Sequence, residues 1–231
     1  MAWAQYVVLG FAPGLFWLWI LRRKDRLEPE PRALVLRVFA IGCLAPAVIL
    51  LVRPALERLL PEEFGVARLL LDAFLVTAPC EELVKAGAMC AGILHHPELD
   101  EPLDGIVYGG AAALGFASVE NVLYLAMTDD PALVVQRGFT ATLMHLICTG
   151  ALGLAIARAR LGRRRVASRE VALALLAVVV AHGAFDAGLL RGGGAAQLAL
   201  LGVLPLALLA FGVLMRGAMR ESREEPRDAA S

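Results

Sequence analysis

Seven apolar runs of about membrane length follow one another with short connections, and this pattern leaves few folds open to the chain. They lie at Trp3 to Leu21, Ala33 to Val52, Leu69 to Leu94, Leu103 to Met127, Gly138 to Ala157, Val171 to Leu190 and Ala195 to Met215. A hydrocarbon core about 30 Å thick takes roughly 20 helical residues. Backbone groups in lipid must find their partners inside the segment, which selects helices. The expected fold is all-α: a polytopic membrane helical bundle of about seven transmembrane helices. Hydrophobic residues make up 59% of the chain, and 22 acidic residues balance 22 basic ones. The partner this implies is the lipid bilayer, in the cell (cytoplasmic) membrane, and no nucleic acid. The bases of the first run follow its apolar stretch and no small-residue cleavage site is evident, so it reads as a retained helix and not a signal peptide.

Lys and Arg near span ends are held on the cytoplasmic side. Arg22, Arg23, Lys24, Arg26 and Arg32 lie between the first two runs; Arg158, Arg160, Arg163, Arg164, Arg165 and Arg169 lie between the fifth and sixth; Arg216, Arg220, Arg223 and Arg227 lie in the tail. Those fifteen share one side, against Arg53, Arg58, Arg68, Arg137 and Arg191 on the other. The count places the N-terminus outside and the C-terminus in the cytoplasm. The charged tail from Arg220 reads as solvated. Pro205 reads as a kink in a packing helix. Cys43, Cys80, Cys90 and Cys148 all fall within runs, without metal-type spacing, and read as small packing residues. The fourth run carries Gly105, Gly109, Gly110 and Gly115 among alanines, which lets helices approach closely and seats this helix centrally, against the one carrying Glu81.

Ionisable side chains inside the runs need a reason, since one near the bilayer centre costs at least about 2.5 to 3.5 kcal/mol on insertion scales. They are Glu81, Glu82 and Lys85 in the third run, Glu120 in the fourth, His145 in the fifth, and His182 with Asp186 in the sixth, with Asn121 beside Glu120. At about 1.5 Å per residue, Glu81 lies about 20 Å from the outer end of its run and Glu120, His145 and His182 about 10 to 14 Å from theirs. Four helices thus share one polar layer. Glu81 with Lys85, and His182 with Asp186, are four apart and stack on one helix face. Each pair can neutralise itself, but a purely structural reading leaves Glu82, Glu120 and His145 without partners. Asp104 opens a helix and reads as a cap. Asp72 sits within reach of solvent or headgroups, and His95 and His96 lie at the inner interface.

The stretches EELVK at 81–85, GFASVEN at 115–121, FTATLMH ending at His145 and HGAFD at 182–186 resemble, in order and spacing, the motifs of the PrsW family of intramembrane proteases, relatives of the CAAX prenyl endopeptidases. The match covers about residues 68–190. The resemblance implies a membrane peptidase in which the first glutamate of EExxK activates water. The CAAX relatives carry FxxxH and HxxxN where this chain has Phe116 to Glu120 and His182 to Asp186. An ionised Asp186 cannot donate to an oxyanion as an asparagine does, and Asn121 is the alternative donor. On this reading residues 1–67 form an N-terminal hairpin and outer loop, 68–190 a catalytic four-helix core, and 191–231 the final helix and tail.

The roles expected are Glu81 as general base, Glu82 as its helper or as acid to the leaving amine, and His145 and His182 as donors to the oxyanion. Glu120 orients a histidine or the water, Lys85 holds Glu81 ionised, and Asp186 orients His182. No cofactor is required, although two histidines and a glutamate are also a zinc set. The expected substrate is a single-span membrane protein, of the anti-sigma-factor class the resemblance suggests. Two readings from other classes are a proton-coupled transporter and a non-catalytic binder of single-span proteins.

Overall fold

The computed structural model describes residues 2–24, 28–62, 65–162 and 168–224. Arg26, Arg163, Arg164, Arg165 and Arg227, and the tail from 225, lie outside these residues. The described residues form α1 (Trp3–Lys24), α2 (Arg32–Glu57), α3 (Val66–Leu71), a π-helical turn π1 (Asp72–Thr77), α4 (Ala78–Ile93), α5 (Pro102–Thr128), α6 (Pro131–Phe139), α7 (Ala141–Leu161), α8 (Arg169–Arg191), α9 (Gly193–Leu198), a second turn π2 (Ala199–Val203) and α10 (Leu204–Glu224). No strand occurs among them. Six of the helical stretches are long and apolar enough to cross a membrane: Trp3–Lys24, Arg32–Glu57, Pro102–Thr128, Pro131–Leu161, Arg169–Arg191 and Gly193–Arg223. The third apolar run is helical throughout 66–93 as well, but it carries the charged EELVK stretch and is divided by π1.

Local chemistry sets the helix ends. Asp104 caps α5 as expected: its Oδ2 accepts the backbone N–H of Glu101 at 2.8 Å and of Asp100 at 3.0 Å, in a capping box. Pro102 and Pro131 open α5 and α6, where a missing N–H costs nothing. Asp130 caps α6 by accepting from the Ala132 N–H at 2.9 Å. Both π turns end two residues before a proline, Pro79 and Pro205. A proline ring has no N–H to donate and crowds the carbonyl four residues earlier. A wider turn there relieves that crowding, so the kink expected at Pro205 is met by a π turn.

Helix α5 is the centre of the bundle, buried without interruption from Pro102 to Ser118. In lipid no hydrophobic force drives helices together, so contact depends on small residues that let backbones meet. A Cβ added at Gly109 would lie 2.5 Å from the Thr149 carbonyl oxygen of α7, and one at Gly105 would run into the Gly153 carbonyl. On another face, Gly115 abuts the Phe39 carbonyl of α2. The small-residue faces of α5 therefore meet α7 and α2, with α1 against Ser118 and Val122, and α5 also packs against α4, the helix carrying Glu81, as the sequence suggested. The four cysteines are free thiols within the bundle.

The fifth apolar run is broken. Thr140, at φ −122° and ψ −86°, separates the short α6 from α7. Helix α6 docks on α1, where the Trp17 indole N–H donates to the Gly138 carbonyl at 2.7 Å and the Phe139 ring meets Phe16 and Trp17 edge-on.

Candidate active site

Helices α4, α5, α7 and α8 bring Glu81, Glu82, Lys85, Glu120, His145, His182 and Asp186 into one connected cluster. Glu81 Oε2 faces both imidazoles, 3.9 Å from His145 Nδ1 and 3.7 Å from His182 Nε2, and it accepts no hydrogen bond although buried. The two rings meet edge-on with centroids 5.0 Å apart.

One residue further along α4, Glu82 points about 100° away around the helix and is hydrogen-bonded through both oxygens. Its Oε1 accepts from Lys85 Nζ at 2.6 Å and pairs with His182 Nδ1 at 2.8 Å, and its Oε2 accepts from the Thr149 hydroxyl at 2.8 Å. Lys85 is 0% exposed and contacts Glu82 more closely than Glu81, from which it lies 3.6 Å away. The Glu81–Lys85 pair expected from the four-residue spacing is present, but the ammonium sits closer to Glu82, reaches His145 Nδ1 at 2.9 Å and lies over the Phe116 ring. At that position it can serve both carboxylates and the imidazole together.

Glu120 receives the second ring nitrogen, His145 Nε2, at 3.0 Å. With Lys85 donating to Nδ1, the bonds are consistent with a neutral His145 carrying its proton on Nε2. His182 donates from Nδ1 to Glu82, leaving Nε2 to face Glu81 and, at 3.2 Å, Asp186 Oδ2. Asn121 is 0% exposed and spent on structure: its amide N–H donates to the Thr142 hydroxyl at 3.0 Å and its oxygen accepts from Arg137 Nε at 2.9 Å.

A cavity of about 210 Å³ opens onto the cluster, lined by Glu81, Glu120, His145 and Asp186 together with Arg53, Asp72, Thr77, Tyr124, Arg137, Ala141, Leu189 and Leu190. Glu82, Lys85 and Asn121 lie behind its wall. Sequence reasoning counted Arg53 and Arg137 only as outer charges and passed over Tyr124 and Thr149. Arg137 Nη2 contacts Glu120 at 2.6 Å, and its guanidinium stacks on the Tyr124 ring at 3.7 Å. Arg53 bonds Asp72 at 3.2 Å. A signal that could have pointed to Arg137 is its place two residues ahead of the FTATLMH segment, in a chain whose intramembrane Glu120 had no cation assigned to it.

A family model described as PrsW family intramembrane metalloprotease matches residues 30–214. The chain belongs to the PrsW family. Among PrsW proteins, the chain is 34% identical over 151 residues to Protease PrsW of Geobacillus kaustophilus, covering 65% of each chain. It is 30% identical over 181 residues to Protease PrsW of Bacillus subtilis, covering 77% of this chain and 79% of that one. Protease PrsW of Clostridioides difficile is 30% identical over 178 residues, 75% of this chain and 73% of that one. No solved structure matches the chain. Membership in PrsW, with its apolar helices, makes this a multi-pass membrane protein of an intramembrane protease family.

Proposed function

We propose that this cluster hydrolyses a peptide bond of a membrane-anchored protein, with Glu81 activating the attacking water. The supporting observation is the state of the two adjacent glutamates. Glu81 Oε2 is buried, accepts no hydrogen bond and lies in the cavity wall between two imidazoles, whereas both oxygens of Glu82 are hydrogen-bonded. A carboxylate that must take a proton from water needs a free lone pair. Glu81 removes that proton as the water oxygen attacks the carbonyl, and returns it to the amine as the C–N bond breaks. His182, protonated on both ring nitrogens and held at Nδ1 by Glu82, donates from Nε2 to the developing oxyanion, a contribution often worth about 2.7 to 4 kcal/mol. Glu82 thereby acts as a positioning residue in place of the acid role suggested by sequence.

A zinc-dependent version has an observation of its own. Glu81, His145 and His182 each offer a ligand atom, all within 4.8 Å of one another. Two nitrogens and a carboxylate oxygen are zinc donors, and an unsatisfied buried Glu81 Oε2 is an acceptor that a cation would satisfy, so these residues fit the ion. Glu82 would hold His182 from behind, as outer carboxylates do. When bound, zinc supplies Lewis acidity and lowers the pKa of a coordinated water. The contact of Lys85 with His145 Nδ1 would have to be given up, which favours the version without metal.

The substrate we propose is a single-span membrane protein of the anti-sigma-factor class. Helical backbone in lipid is already hydrogen-bonded, so the bond cut must be unwound or lie beyond the hydrocarbon. With the N-terminus outside, the cavity mouth at Arg53, Asp72 and Arg137 lies toward the outer surface, where such a segment is presented. The test is cleavage of labelled single-span peptides by purified protein. Glu81→Gln is expected to abolish it, and normal cleavage by that variant would refute the assignment. Full activity after exhaustive chelation supports glutamate alone, and stoichiometric zinc lost together with activity supports the metal version.

A further inference from the structure

We propose that Arg137 is a positioning residue of this site, setting the imidazole of His145 by holding Glu120. Its guanidinium forms a fork over α5: Nη2 on Glu120 Oε2 at 2.6 Å, Nε on Asn121 Oδ1 at 2.9 Å, and its plane over the Tyr124 ring at 3.7 Å. Those three residues occupy positions i, i+1 and i+4, so one planar group reads one helical turn, which a lysine cannot copy. The same Glu120 oxygen takes His145 Nε2 at 3.0 Å, and the opposite ring nitrogen faces Lys85 at 2.9 Å and Glu81 at 3.9 Å. Displacement of Glu120 therefore turns the ring that faces the base.

The helix carrying this arginine is otherwise peripheral. Helix α6 has nine residues and is fixed to α1 by the Trp17–Gly138 hydrogen bond. Arg137 extends inward to a side-chain exposure of 12%, against a carboxylate at 20%, and lines the cavity. A surface helix that needed only to be anchored has the indole bond and the Phe139 contacts for that purpose. The inward fork instead neutralises and aims a carboxylate in contact with the histidine.

The activity arm of the test rests on the proposed hydrolysis; the spectroscopic arm does not. For activity, the full chain is co-reconstituted with fluorophore-labelled single-span peptides in phosphatidylethanolamine and phosphatidylglycerol liposomes. Arg137→Gln and Glu120→Gln are each expected to lower kcat about tenfold to a hundredfold, the range for lost outer-shell partners, with KM little changed. The double variant is expected to be no worse than either single one, because both break one unit. Arg137→Lys recovers part of kcat. Trp17→Phe, which removes only the indole donor to α6, keeps the parent kcat. An Arg137→Gln variant with parent kcat, a loss reproduced by Trp17→Phe, or multiplicative losses in the double variant overturn the proposal.

The second arm uses the four histidines of the chain. Ring ¹⁵N shifts report which nitrogen carries the proton. Arg137→Gln is expected to move the His145 signals and leave those of His95 and His96 in place; unmoved His145 signals overturn the proposal. If the parent protein cleaves nothing, or Glu81→Gln cleaves as well as the parent, the hydrolytic reading fails and the ¹⁵N arm alone decides the role of Arg137.

Discussion

Replacing Lys85 by methionine removes the buried cation on which the cluster is balanced. The side chain is 0% exposed, donates to Glu82 at 2.6 Å and contacts His145 at 2.9 Å. Methionine is unbranched and only one atom shorter, so packing against Phe116 is largely kept and most of the loss is electrostatic. Breaking a buried ion pair from one side costs about 3–5 kcal/mol, because the remaining charge stays buried without its partner. Glu82→Gln should cost less. The ammonium would still have Glu81 at 3.6 Å, and a glutamine can still accept from His182 and bond the Thr149 hydroxyl. The combined Lys85→Met and Glu82→Gln variant should regain most of what Lys85→Met loses, since the two opposite charges leave together. Unfolding by a denaturing detergent in mixed micelles, followed by circular dichroism, measures all three. If Lys85→Met falls by less than about 1 kcal/mol, or the two losses simply add, the pair is not the balanced unit described and its buried geometry is wrong.

Thr149→Ala removes the hydroxyl donated to Glu82 Oε2 and is expected to cost about 1.5–3 kcal/mol, the range for a hydrogen bond to a charged group, with Thr149→Ser close to the parent in the same unfolding assay. Gly109→Val forces α5 away from the Thr149 carbonyl and should destabilise by about 1–3 kcal/mol or more, with reduced peptide cleavage because the same α7 segment supports Glu82. Gly87→Ala is the control: a Cβ there meets nothing, and unfolding should show a gain of about 0.5–1 kcal/mol from helix propensity.

The apolar runs marked the helices closely: the third, read as Leu69 to Leu94, is helical over 66–93, and the fourth, read as Leu103 to Met127, is α5 (Pro102–Thr128). The polar layer was legible because charges inside such runs are few and costly. Which of two consecutive glutamates faces the cavity was not. Neighbours in a helix point about 100° apart, and the rotation of α4 is set by the π turn before it and by what α7 and α8 present. The break at Thr140 was hidden for a related reason: it falls inside the run read as Gly138 to Ala157, and a single residue off helical geometry leaves no mark in hydropathy. Arg137 was visible as a letter and a charge at a span end. That it folds back onto Glu120 depends on that break. Thr149 and Asn121 are polar groups common in helices of this kind, and only the packed bundle tells a hydroxyl spent on Glu82 from one spent on its own backbone.

The turn π1 has a consequence for how this bundle can vary. It holds one residue more than an α-helix of the same rise would, directly ahead of Pro79 and the EELVK stretch. Loss of a residue between 72 and 77 would tighten that turn and rotate α3 alone, while Glu81 kept its aim at the histidines. Loss of a residue after 81 would swing the lysine off the acid it serves. Tolerance to a change in chain length thus ends abruptly at the proline.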